Sequence, residues 1–328
     1  MKTKLLAIAL VIAMLAMTLV ACNMSQEEKK KEITKDGLVY CLLENGTYGV
    51  KAADPANVGE TVEIPAKIEG KAVTQILAQA FEGAANLKSI SMPDSITVIG
   101  DYAFYNCTNL ESITMPAKLK TIGQEAFHSC DSLTSVTIPE GVKSIGQWAF
   151  IWCTGLTSIN IPQSVTGIGY RAFQDCRGLK RFVVDPDNPN YSSADGNLYN
   201  KDGTTLIQYA LGKTNDLLVI PDGVTHINEY AVYCCDNFMG IIIPKSLVSI
   251  GEKAFEGCGK IEAVYYCGTV TDWDQVSIAV DNDDLIYNDD FMNTNLCFYS
   301  QNQPTDTEHS YWHYDSNGVP VIWGGTDN

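Results

Sequence analysis

Cysteine is the residue type in this sequence that is best suited to chemistry, and its spacing is regular. The chain of 328 residues contains 11 cysteines. Six of them recur at one position of a repeating pattern, mostly at intervals of 23 residues: Cys107, Cys130, Cys153, Cys176, Cys235 and Cys258. A cysteine thiolate can attack an electrophile, form a disulfide or bind a metal. Such a column is therefore either an array of reactive groups or a structural filler.

We predict that the six column cysteines point inward and pack as small apolar side chains, each with its thiol near a backbone carbonyl. Disulfides between neighbouring repeats are one alternative, because the spacing of adjacent strands falls within the allowed Cα separation. A metal column is a second alternative, but the sequence has no C-x-x-C pair to support it. Cys234 is expected to point outward as a surface thiol.

The remaining residues give no enzymatic motif. His309 and His313 are four residues apart, but Glu308 precedes the first histidine, so the H-E-x-x-H zinc motif is absent. Nucleophile-elbow, Walker and dinucleotide-binding motifs are also absent. The acidic run at 281–284 lacks the glycine and the final glutamate of an EF-hand, and weak calcium binding there is the alternative. We predict no enzymatic activity, no cofactor and no metal site.

The charge of the chain disfavours nucleic acid as a partner. There are 22 Lys and Arg against 39 Asp and Glu, which gives a formal net charge of -17. Binding to phosphates needs clustered Lys and Arg. The acidity is concentrated at the end of the chain, because residues 268–328 contain 11 acidic residues and no Lys or Arg.

The column cysteines belong to a repeat that must position them. Ala-Phe occurs at 80–81, 103–104, 126–127, 149–150 and 172–173, and Ile-Gly begins at 99, 122, 145 and 168. An apolar residue followed by proline keeps the same interval of 23 residues at 92–93, 115–116, 138–139 and 161–162. The pattern then pauses for an insertion of 36 residues and resumes in two further units, around 220–235 and 243–258.

Each unit predicts a strand and a return. The S-I-x-I stretch alternates with a period of two, so its isoleucines face inward and its Ser and Thr residues face outward. Proline ends the strand, and the glycine is expected to permit a tight corner. The later apolar positions recur every three to four residues, which predicts a short helical or turn-like return. Stacked units bury what one unit cannot, so we predict a β-rich solenoid with a parallel β-ladder on its concave face.

The 23-residue unit, with its Ile-Pro, Ile-Gly, Ala-Phe and Cys positions, resembles the BspA-like class of bacterial leucine-rich repeat. The resemblance extends from about Gly37 to the C-terminus. The segment from Asp185 to Leu206 is similar to an insertion that these proteins often carry, and Asp195-Gly196 within it is a turn signal that indicates a β-hairpin. The resemblance implies an exported or cell-surface protein for which adhesion or host-ligand binding is the expected activity.

The N-terminal residues 1–21 are typical of an export signal. Lys2 and Lys4 precede an apolar run, Leu5 to Thr18, that is too short to span a membrane. The following Leu-Val-Ala-Cys sequence resembles a bacterial lipobox, so Cys22 is the predicted lipidation site. Ordinary secretion and a retained N-terminal helix are the alternatives.

The rest of the chain divides into four expected segments. A charged flexible spacer covers 22–36, and an N-terminal cap covers 37–70. The solenoid covers 71–267, with the insertion at about 185–216. An acidic, aromatic segment, 268–328, is predicted to cap the far end, and a separate ligand-binding module is the alternative.

Two surfaces are candidate binding sites. Outward strand positions carry Ser and Thr in the early repeats and then become Arg181 and an apolar stripe of Val183, Val219, Ile242 and Tyr265. An exposed apolar stripe marks an interaction site, unless the insertion or the C-terminal segment covers it. On the convex side, Trp148 and Trp152 are four residues apart and are expected to share a helical face.

These observations predict a lipid-anchored protein, exposed at the bacterial cell surface, that binds an extracellular protein or glycan through its solenoid. A structural envelope scaffold without a soluble ligand is the alternative. An extracellular carbohydrate-active enzyme that uses the C-terminal segment is a remote third.

Overall fold

A computed structural model describes residues 32–282, 285, 296–306 and 308–323. The predicted signal segment and the predicted lipidation site, Cys22, lie outside these residues. The chain begins with an N-terminal group of strands and a 3-10 turn at Pro55–Asn57. These strands are β1 (Glu32–Lys35), β2 (Leu38–Leu42), β3 (Tyr48–Ala52), β4 (Thr61–Glu63), β5 (Lys67–Ile68) and β6 (Lys71–Ile76).

The repeats before the insertion supply two short strands per turn of the solenoid. They are β7 (Ser89–Ser91), β8 (Val98–Ile99), β9 (Ser112–Ile113), β10 (Thr121–Ile122), β11 (Ser135–Val136), β12 (Ser144–Ile145), β13 (Ser158–Ile161), β14 (Gly167–Ile168) and β15 (Arg181–Val184). The insertion supplies β16 (Tyr191–Ala194), β17 (Asn197–Asn200) and β18 (Thr205–Gln208).

The later repeats and the C-terminal segment complete the described chain. Their elements are β19 (Leu217–Val219), β20 (His226–Ile227), β21 (Gly240–Ile243), β22 (Ser249–Ile250), β23 (Ala263–Tyr266), the helix α1 (Val270–Trp273), β24 (Ser277–Ile278), β25 (Leu296–Tyr299), β26 (Ser310–Tyr314) and β27 (Pro320–Ile322).

The strands stack into two parallel ladders, which confirms the solenoid. Ladder A contains the S-I-x-I strands: β4-β7-β9, β11-β13-β15 and, after the insertion, β19-β21-β23-β25-β26. Ladder B contains β3-β6-β8-β10-β12-β14 and then β18-β20-β22-β24. Paired residues occupy the same position in neighbouring repeats. For example, Ile122 of β10 pairs with Ile99 of β8 and with Ile145 of β12.

The expected return is short and helical or turn-like, and its turn-like form is confirmed; ladder B is an additional feature that the pattern does not predict. The Ile-Gly dipeptides end strands of a second parallel ladder, and the rest of each return is a hydrogen-bonded turn, so no helix forms there. Alternate amides donate to the next turn of the solenoid: Tyr102 to Gln124 and Phe104 to Ala126, both with N–O distances of 2.8 Å. We call the surface formed by these returns the turn face. Two-residue strands are too short to show a period of two in the sequence.

The glycine that follows each ladder B isoleucine allows the backbones of two neighbouring turns to approach closely. It does not serve to form a tight corner. A Cβ at Gly146 would lie 2.4 Å from the carbonyl carbon of Gly123 in the preceding turn. The backbone of Gly146 has no positive φ. Any larger residue would therefore push two turns apart.

The interior is a stack of identical layers. Four successive ring pairs connect Phe81, Phe104, Phe127, Phe150 and Phe173, with centroids 5.1–5.7 Å apart and planes within 10°. The column cysteines lie beside this stack, and all six are buried. Five of them donate to the carbonyl of an earlier turn at 3.0–3.3 Å: Cys107, Cys130, Cys153, Cys176 and Cys258.

The insertion interrupts both ladders and divides the core into two clusters. Its strands β16 and β17 form an antiparallel hairpin, and β18 joins ladder B beside β20. Asn188 is fully buried at the start of the insertion, where its Nδ2 donates to the carbonyls of Pro162 (2.8 Å) and Val165 (2.9 Å). This amide satisfies backbone groups that the next repeat would otherwise have paired.

The ends of the solenoid differ from the expected segment boundaries. Strand β1 pairs with β2 and lies inside the segment expected to be a flexible spacer, 22–36, so that expectation is wrong for residues 32–35. The C-terminal segment adds two more parallel strands to ladder A, β25 and β26, and then an antiparallel strand, β27.

Candidate binding surfaces

The predicted apolar stripe lies on the outer face of ladder A, but its members differ in exposure. Val183 and Val219 are 50% and 49% exposed. Arg181 is exposed as well, and Tyr265 is half-buried. Ile242 is only 5% exposed, so the expected continuous stripe is interrupted there.

Ile242 is covered by the C-terminal segment. It belongs to a small hydrophobic cluster outside the main core, together with Cys297 and Trp312, with Leu217 and Tyr265 packed against them. The expectation that Ile242 contacts a ligand is therefore wrong, because no ligand can reach it without displacing this cluster. The alternative that the C-terminal segment covers the stripe is correct at this position.

Trp312 is the centre of this cluster. Its side chain is fully buried, and its Nε1 donates to the carbonyl of Tyr266 at 3.0 Å. Its ring lies 5.4 Å from that of Tyr265, 5.2 Å from that of Tyr299 and 4.9 Å from that of Tyr314. One buried tryptophan thus holds three tyrosines on the outer face of ladder A.

We call the surface formed by Val219, Tyr265, Tyr299 and Tyr314 the end patch. Val219 pairs with Ile242 and Ile242 with Tyr265, so Val219 and Tyr265 lie on one face of ladder A with the covered Ile242 between them. Tyr299 is 40% exposed and Tyr314 is 45% exposed. Exposed apolar and aromatic side chains around a buried tryptophan are typical of a surface that binds a macromolecule.

Two tyrosine hydroxyls of the end patch, those of Tyr265 and Tyr314, are held in the neutral form. Burial raises the pKa of Tyr265, and burial together with neighbouring groups that include Asp222 raises the pKa of Tyr314. Burial also raises the pKa of Cys267 and of Cys297 to about 11. The patch therefore offers apolar surface and neutral hydroxyl groups to a ligand.

Sequence reasoning placed Trp312 and Tyr314 in a cap and did not identify Tyr299. The alternation in Tyr311-Trp312-His313-Tyr314 was the available signal, because it places Trp312 and Tyr314 on one face of a strand. The packing of that strand beside β25 could not be inferred from the spacing, since the interval of 23 residues between strands does not continue beyond Tyr266.

The turn face carries the second predicted site, with a different geometry from the one expected. Trp148 and Trp152 lie in a turn and not in a helix, and both have a left-handed backbone, with φ of 55° and 59°. They therefore share no helical face. Left-handed residues recur at these two positions in most turns, which allows alternate amides to reach the next turn.

The two tryptophans contact separate groups of rings. Trp152 is exposed, with its ring 5.1 Å from that of His128, which in turn lies 4.4 Å from the ring of Tyr105. Trp148 is half-buried beside Tyr170, with a centroid distance of 6.1 Å. Aromatic side chains thus line the turn face from Tyr105 to Tyr233, but no single patch unites the two tryptophans.

His128 is the titratable group within the first of these ring groups. Its Nδ1 lies 3.0 Å from a carboxylate oxygen of Glu125, and both side chains are nearly nine-tenths buried. Burial lowers the pKa of His128, against the opposing effect of Glu125. The imidazole is therefore neutral at pH 7.

The column cysteines are poorly suited to nucleophilic chemistry. Burial raises the pKa of Cys107 and of Cys153 to about 12 and that of Cys235 to about 11. Within the described residues, no group of three or more His, Cys, Asp and Glu side chains is arranged to hold a metal ion. In the same part of the chain, no helix is both long enough and apolar enough to cross a membrane.

Comparisons with known proteins agree with this geometry. The profile of the BspA type leucine-rich repeat region matches residues 68–193 and 207–280, in six copies. No curated protein matches the sequence at a significant level.

Two solved structures share the fold. The pneumococcal vaccine antigen PcpA is 22% identical over 71% of this chain and 69% of its own, with a TM-score of 0.57. A leucine-rich repeat protein from Eubacterium ventriosum is 19% identical over 81% of this chain and 77% of its own, also with a TM-score of 0.57. At this level of identity, the likeness concerns the fold alone.

The family profile covers more than half of the chain, and the matched residues include most of the strands of the two ladders. The two matched regions flank residues 194–206, inside the insertion where the ladders are interrupted. This protein belongs to the BspA-type leucine-rich-repeat family.

Proposed function

We propose that this protein is a cell-surface binding or adhesion protein that recognises an extracellular protein or glycan through the end patch. The observation that carries this proposal is the exposure of Tyr299 and Tyr314, whose rings contact the buried Trp312, together with the exposed Val219 on the same face of ladder A. A cap whose only role was to close the core would turn its aromatic rings inward, as Phe298 and Tyr311 do. The outward rings of the end patch are available to a partner.

The proposal includes export and lipid anchoring at Cys22. It is supported by the basic and apolar residues of the first 21 positions and by the Leu-Val-Ala-Cys sequence. The anchor would hold the first turn of the solenoid near the membrane. The end patch, at the opposite end of ladder A, would then face away from the cell.

The alternative function is a structural envelope scaffold. The regular stack of layers, with its phenylalanine and cysteine columns, suits a rigid spacer. A scaffold does not require exposed aromatic rings at its far end, so the end patch favours binding.

Binding to immobilised macromolecules tests the proposal. The purified chain is applied to surfaces coated with matrix proteins, mucins and bacterial or host polysaccharides, and surface plasmon resonance records its retention. We expect saturable binding to at least one coating at micromolar concentrations of the chain. A linear, unsaturated response on every coating would reject the binding function and favour the scaffold.

The same surfaces can test for catalysis. If the chain released soluble sugars from a polysaccharide coating, and if loss of residues 268–328 abolished that release, the remote alternative of a carbohydrate-active enzyme would replace the present proposal.

A further inference from the structure

A cleft opens on the turn face where ladder B is interrupted. Strand β14 and strand β18 are not paired with each other, and the amide of Ile168 donates to the hydroxyl of Tyr191 at 2.9 Å. The resulting cavity has a volume of about 180 Å³ and is lined by Tyr170, Arg171, Tyr191, Glu229 and Tyr230, among others. It lies on a different face of the solenoid from the end patch.

Arg171 is held in a fixed orientation in this cleft. Its guanidinium carbon lies 3.9 Å from the ring centroid of Tyr230 and 5.6 Å from that of Tyr170. Its Nε donates to Oε1 of Gln174. Gln174 is itself buried, and its amide donates to Asp175 at 3.2 Å, which fixes the oxygen that Arg171 uses.

The guanidinium forms no ion pair with any carboxylate in the described part of the chain. Lys253, at the corresponding position of a later repeat, is paired with Glu256 at 2.9 Å and with Asp281 at 3.4 Å. An unpaired, pre-oriented arginine is unusual in a chain with a net charge of -17. In the repeat of Arg171 the residue that corresponds to Glu256 is Gln174, so the end of the guanidinium is left without a carboxylate among the described residues and is available to one from a ligand.

We propose that this cleft binds the carboxylate of one acidic sugar residue in a glycan, with Arg171 as the binding cation. The two amino groups of a guanidinium match the two oxygens of a carboxylate. The rings of Tyr170 and Tyr230 lie beside the cation, with their centroids 6.1 Å apart and their planes nearly perpendicular. Arg171 lies over the ring of Tyr230, and Tyr170, which is 39% exposed, supplies an apolar face for the ring of the sugar. The small volume suits one sugar residue and not a folded partner.

Acidic side chains of a peptide carry the same carboxylate. The exposed aromatic face of Tyr170 beside the cation favours a sugar, because an extended peptide would expose its backbone to a ring that cannot satisfy its hydrogen bonds. Glu229, on the lining of the cleft, repels any carboxylate ligand. Its removal is therefore expected to strengthen binding.

Calorimetric titration with a trisaccharide of galacturonic acid tests the site, with the neutral galactose trisaccharide and a triglutamate peptide as comparisons. We expect the acidic trisaccharide to bind at least about tenfold more tightly than either comparison. The variant Arg171→Gln should weaken binding about tenfold or more, because it removes a charge-assisted pair of hydrogen bonds. The variant Glu229→Gln should bind more tightly than the unmodified chain.

Two further variants keep the test decisive. Arg171→Lys retains the charge without the two-pronged geometry, and it should bind more weakly than the unmodified chain even if Arg171→Gln does not fold. Val248→Asp, at an exposed site away from the cleft, should bind equally well. No binding of the acidic trisaccharide, equal binding by Arg171→Gln when folded, or equal binding of triglutamate would each overturn the proposal. None of these outcomes bears on the end patch.

Discussion

The thiol of Cys153 donates a hydrogen bond to the carbonyl of Phe127 in the preceding turn, with Sγ 3.0 Å from the oxygen. The amide of Phe127 in turn donates to the carbonyl of Ala149 in the turn of Cys153. Each layer is thus joined to the next by a backbone bond and by a thiol. This relationship explains why cysteine, and not a larger apolar residue, recurs at this position.

Two substitutions of Cys153 separate the packing of its side chain from its hydrogen bond to Phe127. Cys153→Ala removes one of two donors to the Phe127 carbonyl, which also accepts from the amide of Cys130 at 3.2 Å, and we expect the free energy of unfolding to fall by about 0.5–1.5 kcal/mol. Cys153→Ser keeps a donor and should lose less. Urea unfolding followed by circular dichroism measures both. Equal stability of Cys153→Ala and the unmodified chain would show that the hydrogen bond contributes nothing.

Gly146 is expected to be among the least replaceable residues of ladder B. Gly146→Ala places a methyl group against the backbone of Gly123, and we expect a loss of about 3 kcal/mol or more. Gly259→Ala is the matched control, because nothing lies within 4 Å of its Cβ. The control should be neutral or slightly stabilising. Similar urea midpoints for the two variants would contradict the close-approach explanation.

The stability of the turn face should depend on pH through His128. Burial lowers the pKa of His128 below its value in the unfolded chain, which is about 6.5. The unfolded state therefore binds a proton more readily than the folded state. The stability associated with the neutral, buried His128 is present above about pH 6.5 and is lost as the pH falls through the lower pKa of the folded state. Relative to His128→Gln, the unmodified chain should lose stability between pH 7 and pH 5. Parallel stability profiles of the two proteins would refute this assignment.

Much of the fold could be predicted from the sequence, because a repeat of 23 residues imposes the same environment on each copy. The inward position of Ile99 and the ladder of S-I-x-I strands follow from periodicity alone. Ladder B could not be predicted, because its strands contribute only two residues per turn. The cover over Ile242 depends on Trp312, which is 70 positions away and outside the repeat. The cleft at Arg171 exists only because the insertion separates β14 from β18.

Lipid anchoring is tested by replacement of the predicted acceptor. Cys22→Ser removes the only thiol that the Leu-Val-Ala-Cys sequence could present for lipidation, so we expect the variant to move from the membrane fraction to the soluble fraction. Val248→Asp should remain in the membrane fraction. Unchanged fractionation of Cys22→Ser would exclude anchoring through this residue.

Binding by the end patch is the central claim, and Val219 and Ile242 provide a matched pair to test it. The two residues are register partners in ladder A, but Val219 is exposed and Ile242 is covered. Ile242→Asp buries a charge and should lower the melting temperature severely, whereas Val219→Asp should fold normally. A folding defect in Ile242→Asp alone would establish that Ile242 is covered and that Val219 is accessible to a ligand.

The most direct measurement is the affinity of Val219→Asp for a mucin-coated or matrix-coated surface that retains the unmodified chain. Val248→Asp is the control, because it makes the same change at a valine of similar exposure, 52%, outside the end patch. We predict that Val219→Asp binds at least about tenfold more weakly, since it places a charge in an apolar contact, while Val248→Asp binds normally. Equal affinity of Val219→Asp and the unmodified chain would contradict the assignment of the end patch as the binding surface.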